Sequence, residues 1–358
     1  MRAAVPLAVL ALLGCGGEPA GRPTAGFEPV GLFPVGEHPV TIAVLDVDLD
    51  GDPDVLVPGV VTPDLTLLRN DGGRLTALAP APLAAGTVSV FAADLDGDGP
   101  AELVASLTEV DQVQVLRVSA SGEATVLSSA SVPDPGPLAA GDVDGDGRID
   151  VVAIESGTGA AVLLRGDGAG GLAPGETIET PELTSSLWIG DLDRDGAADV
   201  AMTGADLDEI WLRAAAGSAR ATTASWPMGL VAAQLDGDPA LELAGAANLG
   251  DVLFVADLAG GALEVRTIAS TGQPAAVGAG DFDGDGLTDL VSVAKGGDRL
   301  DLLLGDGAGA LRYELSVATG WGPSAIAVVD LDQDGCPDVL TVNAFSNDVS
   351  ALRCAPRR

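Results

Sequence analysis

One acidic motif, repeated at nearly constant spacing, limits this chain more than any other feature. It reads DVDLDGDPD from Asp46, DLDGDGPAE from Asp94, DVDGDGRID from Asp142 and DLDRDGAAD from Asp191. It returns as QLDGDPALE from Gln234, DFDGDGLTD from Asp281 and DLDQDGCPD from Asp330. Successive starts lie 48, 48, 49, 43, 47 and 49 residues apart. A period in this range marks a repeat architecture. Each unit is too small to bury a core alone, so it must stack on its neighbours. Length by itself would suggest about two domains; the repeat overrides that reading.

Within one unit, residues 38–82, the apolar runs are short and β-branched. VTIAVLD (40–46) leads into the acid motif, then come VLVPGVV (55–61), LTLLR (65–69), the turn Asn70-Asp71-Gly72-Gly73, and LTALAPAPL. The pattern predicts four strands with turn signals between them and no helical period. The third turn recurs as GDGAGG (166–171) and GDGAGA (305–310), where Asp-Gly supplies the positive φ of a tight hairpin. Seven such units predict an all-β, seven-bladed β-propeller with four-stranded antiparallel blades over residues 27–356. The strand feeding each acid motif is rich in small residues, as in AIAVVD and LAAGDVD, which suits an innermost strand crowded around a channel. The seventh unit stops after its third strand at DVSALRC (348–354), and an unmatched strand, FEPVGLFPVG (27–36), precedes the first unit. That N-terminal strand is expected to complete the last blade and remove an exposed edge.

The motif D-x-D-x-D-G-x-x-D gathers acids at positions 1, 3, 5 and 9, with a backbone carbonyl at position 7. Oxygen-only ligation with several carboxylates suits a hard cation, and its flexible geometry favours Ca²⁺ over Mg²⁺. An EF-hand would need a bidentate Glu at loop position 12, where this chain has Val57, Ala105, Ala153, Met202, Ser292 and Thr341. Its flanks read as strands besides. The fifth motif departs: Gln234 is neutral at position 1, and Pro239 cannot adopt the left-handed turn expected at position 6. About six calcium sites are expected, the fifth being weak or empty.

These loops resemble the FG-GAP and VCBS repeat family, including the calcium loops of integrin α-chain propellers. The resemblance covers residues 27–356 and implies that calcium lies between the first and second strands of a blade. It carries the ligand role to Asp46, Asp48, Asp50 and Asp54, and to Asp94, Asp96, Asp98 and Glu102. The next two sets are Asp142, Asp144, Asp146 and Asp150, then Asp191, Asp193, Asp195 and Asp199. The last two are Asp281, Asp283, Asp285 and Asp289, then Asp330, Asp332, Asp334 and Asp338.

The N-terminus reads as an export signal. MRAAVPLAVLALLGCGG has Arg2, an apolar run from Ala3 to Leu13 and then Cys15. That run is too short to span a bilayer. Leu12-Leu13-Gly14-Cys15 resembles a bacterial lipobox, which implies a signal peptide over 1–14, lipidation of Cys15 and a flexible tether over 15–26. With Gly16 next, the lipoprotein is expected at the outer membrane or cell surface, touching membrane through its lipid alone. Export implies an oxidising compartment. Cys336 just before the second strand and Cys354 just after the third strand of the seventh blade are therefore expected to form a disulfide.

With 53 acidic and 17 basic residues and a net charge of -36, nucleic acid is a poor partner. The chain has one His (His38), one Lys (Lys295) and one Tyr (Tyr313), in different units. Nucleophile–base systems and most general-base sites want His or Lys, so no catalytic residue is assigned. The Arg165-Gly166-Asp167 triplet falls in a recurring hairpin turn and is read as part of it. The expected function is a non-catalytic, calcium-stabilised monomer that binds a protein or glycan. A calcium-dependent, lyase-like polysaccharide enzyme and a purely structural envelope component are the alternatives.

Overall fold

A computed structural model describes residues 26–181, 183–215, 217–270 and 272–355. The expected signal peptide, Cys15 and nearly all of the tether lie outside the described residues. The described residues form seven antiparallel sheets arranged as a seven-bladed propeller. In the third blade, for example, Pro135–Gly141, Asp150–Glu155, Ala161–Gly166 and Leu172–Ile178 pair in chain order. Apart from strands, the one helical element among the described residues is a short 3₁₀ turn, Thr108–Val110. No helix among the described residues is long and apolar enough to cross a membrane.

The ring closes as the sequence predicts. Phe27–Pro34 pairs with Asp348–Cys354, which pairs with Asp338–Asn343 and then Pro323–Val329. The register sets Phe27 against Cys354 and Pro34 against Asp348. Cys336 and Cys354 are joined by a disulfide, with Cα atoms 5.7 Å apart.

The first blade departs from this pattern in two places. Its inner strand is cut to Ala43–Leu45. Its outer strand is split into Arg74–Ala77 and Ala81–Pro82, both paired to Asp64–Asp71. Pro80 and Pro82 have no N–H to donate, so the ladder cannot run through them unbroken.

The core lies between blades. Leu56 and Leu67 of the first blade meet Leu103, Ala105 and Leu116 of the second. Val291 and Leu302 of the sixth meet Ile326, Val339 and Leu352 of the seventh. Each fully buried aliphatic side chain stabilises by about 1.5–3 kcal/mol relative to exposure, and almost none of that burial is available to a blade alone. Inner strands surround an axial cavity of about 510 Å³, lined by Val44, Leu138, Leu230 and Val328 and also by Phe91 and Trp188. The small residues expected there are present, but seven blades leave axial space that larger side chains enter.

Candidate metal centres in the acid loops

Each acid motif links the first strand of a blade to its second, so all seven loops lie on one face. The backbone explains why the motif needs its acids apart from any ligand. The position-1 carboxylate accepts the N–H of position 6: Asp46 from Gly51 at 2.9 Å, Asp142 from Gly147 at 2.9 Å and Asp281 from Gly286 at 2.8 Å. The position-5 carboxylate accepts the N–H of position 7, as in Asp50 from Asp52 and Asp146 from Arg148, both at 2.9 Å. Gly51 at φ 97° and Gly147 at φ 85° make the turn. Position 4 is also left-handed, which sequence reading missed. Three loops place Leu49, Arg194 and Gln333 there, at φ 60°, 60° and 56°.

Position 9 works differently. Asp54, Glu102, Asp150, Asp199, Glu242, Asp289 and Asp338 are all buried, at 0–1% exposure. Asp150 accepts the N–H of Val143 at 3.1 Å through one oxygen and that of Gly166, on the third strand, at 2.9 Å through the other. Asp54, Asp289 and Asp338 do the same with Asn70, Gly305 and Cys354. The acid read from sequence as closing a cation cage thus also ties the loop to the blade's third strand.

The cages nevertheless form. Single oxygens from Asp94, Asp96 and Glu102 converge within 4.8 Å of one another, as do those of Asp142, Asp144 and Asp150, and those of Asp191, Asp193 and Asp199. In the first loop the converging set is Asp46, Asp48 and Asp50. Several carboxylate oxygens of the acid loops are buried without any hydrogen-bond partner: Asp48 Oδ1, Asp191 Oδ1, Asp199 Oδ1 and Asp332 Oδ1. A buried unpaired carboxylate oxygen is costly, and a hard cation coordinated by oxygen removes that cost. The residues present therefore fit calcium.

Burial raises the pKa of these acids. Desolvation is the largest cause for Asp289, pushed up to about 7, Asp338, to about 6, and Glu242, to about 7. The same cause raises Asp54, Asp150 and Asp199, and the neighbouring loop acids push in the same direction.

The fifth loop replaces the position-1 acid by an amide. Gln234 Nε2 donates to the carbonyls of Asp238 and, at 2.8 Å, Ala240, while its Oε1 accepts from Gly237 at 2.7 Å. Ala240 is position 7, where the motif was expected to offer a backbone carbonyl to a ligand. Even so, Asp236, Asp238 and Glu242 converge as closely as the acids elsewhere.

Sequence reading also missed a row of arginines. At 23 residues after the motif starts Asp46, Asp94, Asp142 and Asp330 stand Arg69, Arg117, Arg165 and Arg353. The register carries this third-strand position beside the position-9 acid. Arg117 contacts Asp96 at 2.9 Å, Asp98 at 3.3 Å and Glu102; Arg165 meets Asp144 at 3.3 Å and Arg353 meets Asp332 at 2.8 Å. Asp98 N–H donation, then Arg117, holds Asp96 below the usual carboxylate range. Blades four, five and six place Ala214, Asp257 and Leu304 at this position. A fixed offset from the motif would have revealed the pattern.

The other singled-out residues fall elsewhere. Arg165 is engaged with Asp144, and Asp167 is folded into its turn by the N–H groups of Ala169 and Gly171. His38 and Lys295, from different units, meet on one ring: Phe345 lies 6.1 Å from the His38 ring and 5.2 Å from Lys295 Nζ. Tyr313 is 57% exposed on an outer strand.

Solved structures share the architecture at low identity. BBS1N, solved in complex with ARL6DN, has a TM-score of 0.69 at 11% identity, over 92% of this chain and 97% of that one. Virginiamycin B lyase from Staphylococcus aureus has a TM-score of 0.62 at 14% identity, over 91% and 99%. A functionally unknown protein from Desulfotomaculum acetoxidans has a TM-score of 0.58 at 9% identity, over 82% and 90%. No curated protein matches the chain in sequence. The FG-GAP-like repeat matches residues 46–105, 142–202 and 281–341, each segment opening on one acid loop. With half of its length matched in this way and seven such loops built on seven blades, the chain belongs to the FG-GAP-like repeat family.

Proposed function

We propose that this chain is a non-catalytic, calcium-stabilised propeller, lipid-anchored through Cys15 at a bacterial surface, that offers its ring to a protein or glycan partner. The observation that carries the calcium reading is the set of buried carboxylate oxygens without partners in loops that already converge three acids. Six loops keep all four acids; in the fifth, the Gln234 amide takes the position-7 carbonyl, so that cage is weak or empty. Sites of the extracellular kind bind at about 10⁻⁴–10⁻³ M. At millimolar calcium each contributes roughly 0.4–1.4 kcal/mol by mass action, and six contribute several.

The partner reading draws on the opposite face. Val61, Leu207, Leu249 and Phe345, on loops between second and third strands, are exposed together with Trp321. Apolar side chains of that size collected on one face favour macromolecular contact, and the BBS1N propeller was solved with a protein bound. His38 and Lys295 share an aromatic ring on that face, which favours contact over proton transfer. The test is thermal melting in millimolar calcium against chelator. Calcium should raise the midpoint by several degrees, and a midpoint indifferent to chelation would end the calcium reading.

A further inference from the structure

The fifth blade places an acid, Asp257, where four other blades place an arginine. Glu242 on the second strand is followed by the Leu243–Ala256 pair, so Asp257 on the third strand stands beside it. Asp257 in turn is paired directly with Glu264 on the fourth strand. Like charges directly opposite on adjacent strands destabilise a sheet, and here three occur in a row across three strands. Asp236 from the loop joins Glu242, Asp257 and Glu264 in lining one cleft against the neighbouring turn at Gly309. Arg266 lines the same cleft but, among the described residues, pairs with none of them.

Two further observations point to a ligand. Glu242, which lines the cleft, is 1% exposed; its Oε2 accepts the N–H of Leu235, while its buried Oε1 has no partner. Asp257 Oδ1 is likewise buried and unpartnered. The Gln234 amide occupies the Asp238 and Ala240 carbonyls of its own loop, so the further oxygen on offer here is that of Asp257 on the third strand.

We infer that the fifth blade holds a divalent, oxygen-seeking cation in this cleft, ligated by Asp236, Glu242 and Asp257 with Glu264 at the rim. This ligand set is separate from the six four-acid loops, and from the fifth loop, whose own cage is weak or empty, it keeps only Asp236 and Glu242. It exchanges the missing position-1 acid for one on the third strand, and the ion supplies the charge that Arg69, Arg117, Arg165 and Arg353 supply in their blades.

The test counts calcium bound per chain by equilibrium dialysis at saturating calcium, for the full chain, Asp257→Asn, Asp257→Arg and Asp142→Asn. Asp257→Arg installs the residue that four sibling blades carry, so its fold is the safer of the two. Both Asp257 variants should bind one equivalent fewer, and Asp257→Arg should melt in chelator no lower than the parent. An unchanged equivalent count in both Asp257 variants overturns the inference. Asp142→Asn reports on the four-acid loops alone, so loss there without loss at Asp257 rejects this site while keeping the loop reading, and the converse does the reverse.

Discussion

The position-9 acids should behave as two things at once, and Asp150→Ala separates them. Asp150 is fully buried and accepts from Val143 at 3.1 Å, Asp144 at 3.3 Å and Gly166 at 2.9 Å. Alanine leaves at least two strong backbone donors buried without an acceptor, at about 1–3 kcal/mol each. Against this, removing a carboxylate whose pKa burial raises relieves part of its desolvation. The orphaned donors outweigh that relief, because relief touches one group and the loss touches both the loop and the third strand. The net cost should be about 2–4 kcal/mol in chelator. For a ring of this size, unfolding entropy near the midpoint is roughly 0.7 kcal/mol/K, so the melting temperature should fall by about 3–6 °C. Asp146→Ala is the comparison. Asp146 is exposed and turns only the loop, so in chelator it should change stability by no more than ~0.5 kcal/mol. In calcium both variants should lose one site's contribution. Differential scanning calorimetry with and without chelator reads all four values. If Asp150→Ala costs nothing in chelator, the tie to the third strand has no energetic content and the reasoning fails.

Three further outcomes follow from the same geometry. Replacing Cys336 and Cys354 together by Ser opens a closure of 18 residues' separation, worth about 3 kcal/mol by chain entropy; a midpoint drop of some 4–5 °C is expected by calorimetry, and none would remove the bond from the stability account. Glu242, Asp289 and Asp338 have folded pKa values raised to about 7, 7 and 6 by burial; a raised carboxylate pKa favours folding at low pH and loses that contribution as pH climbs through the folded value, so the chelated protein should melt lower at pH 8 than at pH 5, and a rise would contradict the burial argument. Leu49 is 64% exposed at φ 60°, so Leu49→Gly should raise stability by about 0.5–1 kcal/mol, read by chemical denaturation.

The ring was legible because periodicity is a long-range signal that survives local noise. Seven motif starts fix seven blades, and the surplus strand at Phe27 against the missing one after Cys354 fixes the closure and, with it, the disulfide. What sequence hid was local and three-dimensional. Nothing in the spelling of the motif distinguishes Asp146, exposed in the loop, from Asp150, buried beneath it, because both are acids in one short string. Leu49, Arg194 and Gln333 gave no sign of a left-handed backbone, since glycine holds that place in the other loops and these three adopt it against preference. The Arg69, Arg117, Arg165 and Arg353 row was present in the spacing, but its meaning needs the third strand folded back beside the loop. Glu264 facing Asp257 is likewise invisible until the hairpin register is known.

The distribution of those arginines implies that calcium dependence is uneven around the ring. Blades one, two, three and seven are consecutive in the closed ring, and each carries a fixed cation on its third strand, in three of them paired with the loop acids. Blades four, five and six are also consecutive, and at that position carry Ala214, Asp257 and Leu304. Two of the acids pushed up to about 7, Glu242 and Asp289, lie in this arginine-free arc. Repeat folds owe their stability to nearest neighbours, so three adjacent blades that all lose a ligand lose their mutual support as well. On chelation, amides of Asp199–Gly204, Glu242–Ala247 and Asp289–Ala294 should therefore exchange faster before those of Glu102–Leu107 and Asp150–Glu155. At roughly 0.4–1.4 kcal/mol per site the local acceleration should be about 2–10-fold in each affected blade. Hydrogen exchange followed by mass spectrometry resolves these strands separately. Equal acceleration in every blade would mean that the arginines do not stand in for the ion and would break the link between the third-strand row and the loops.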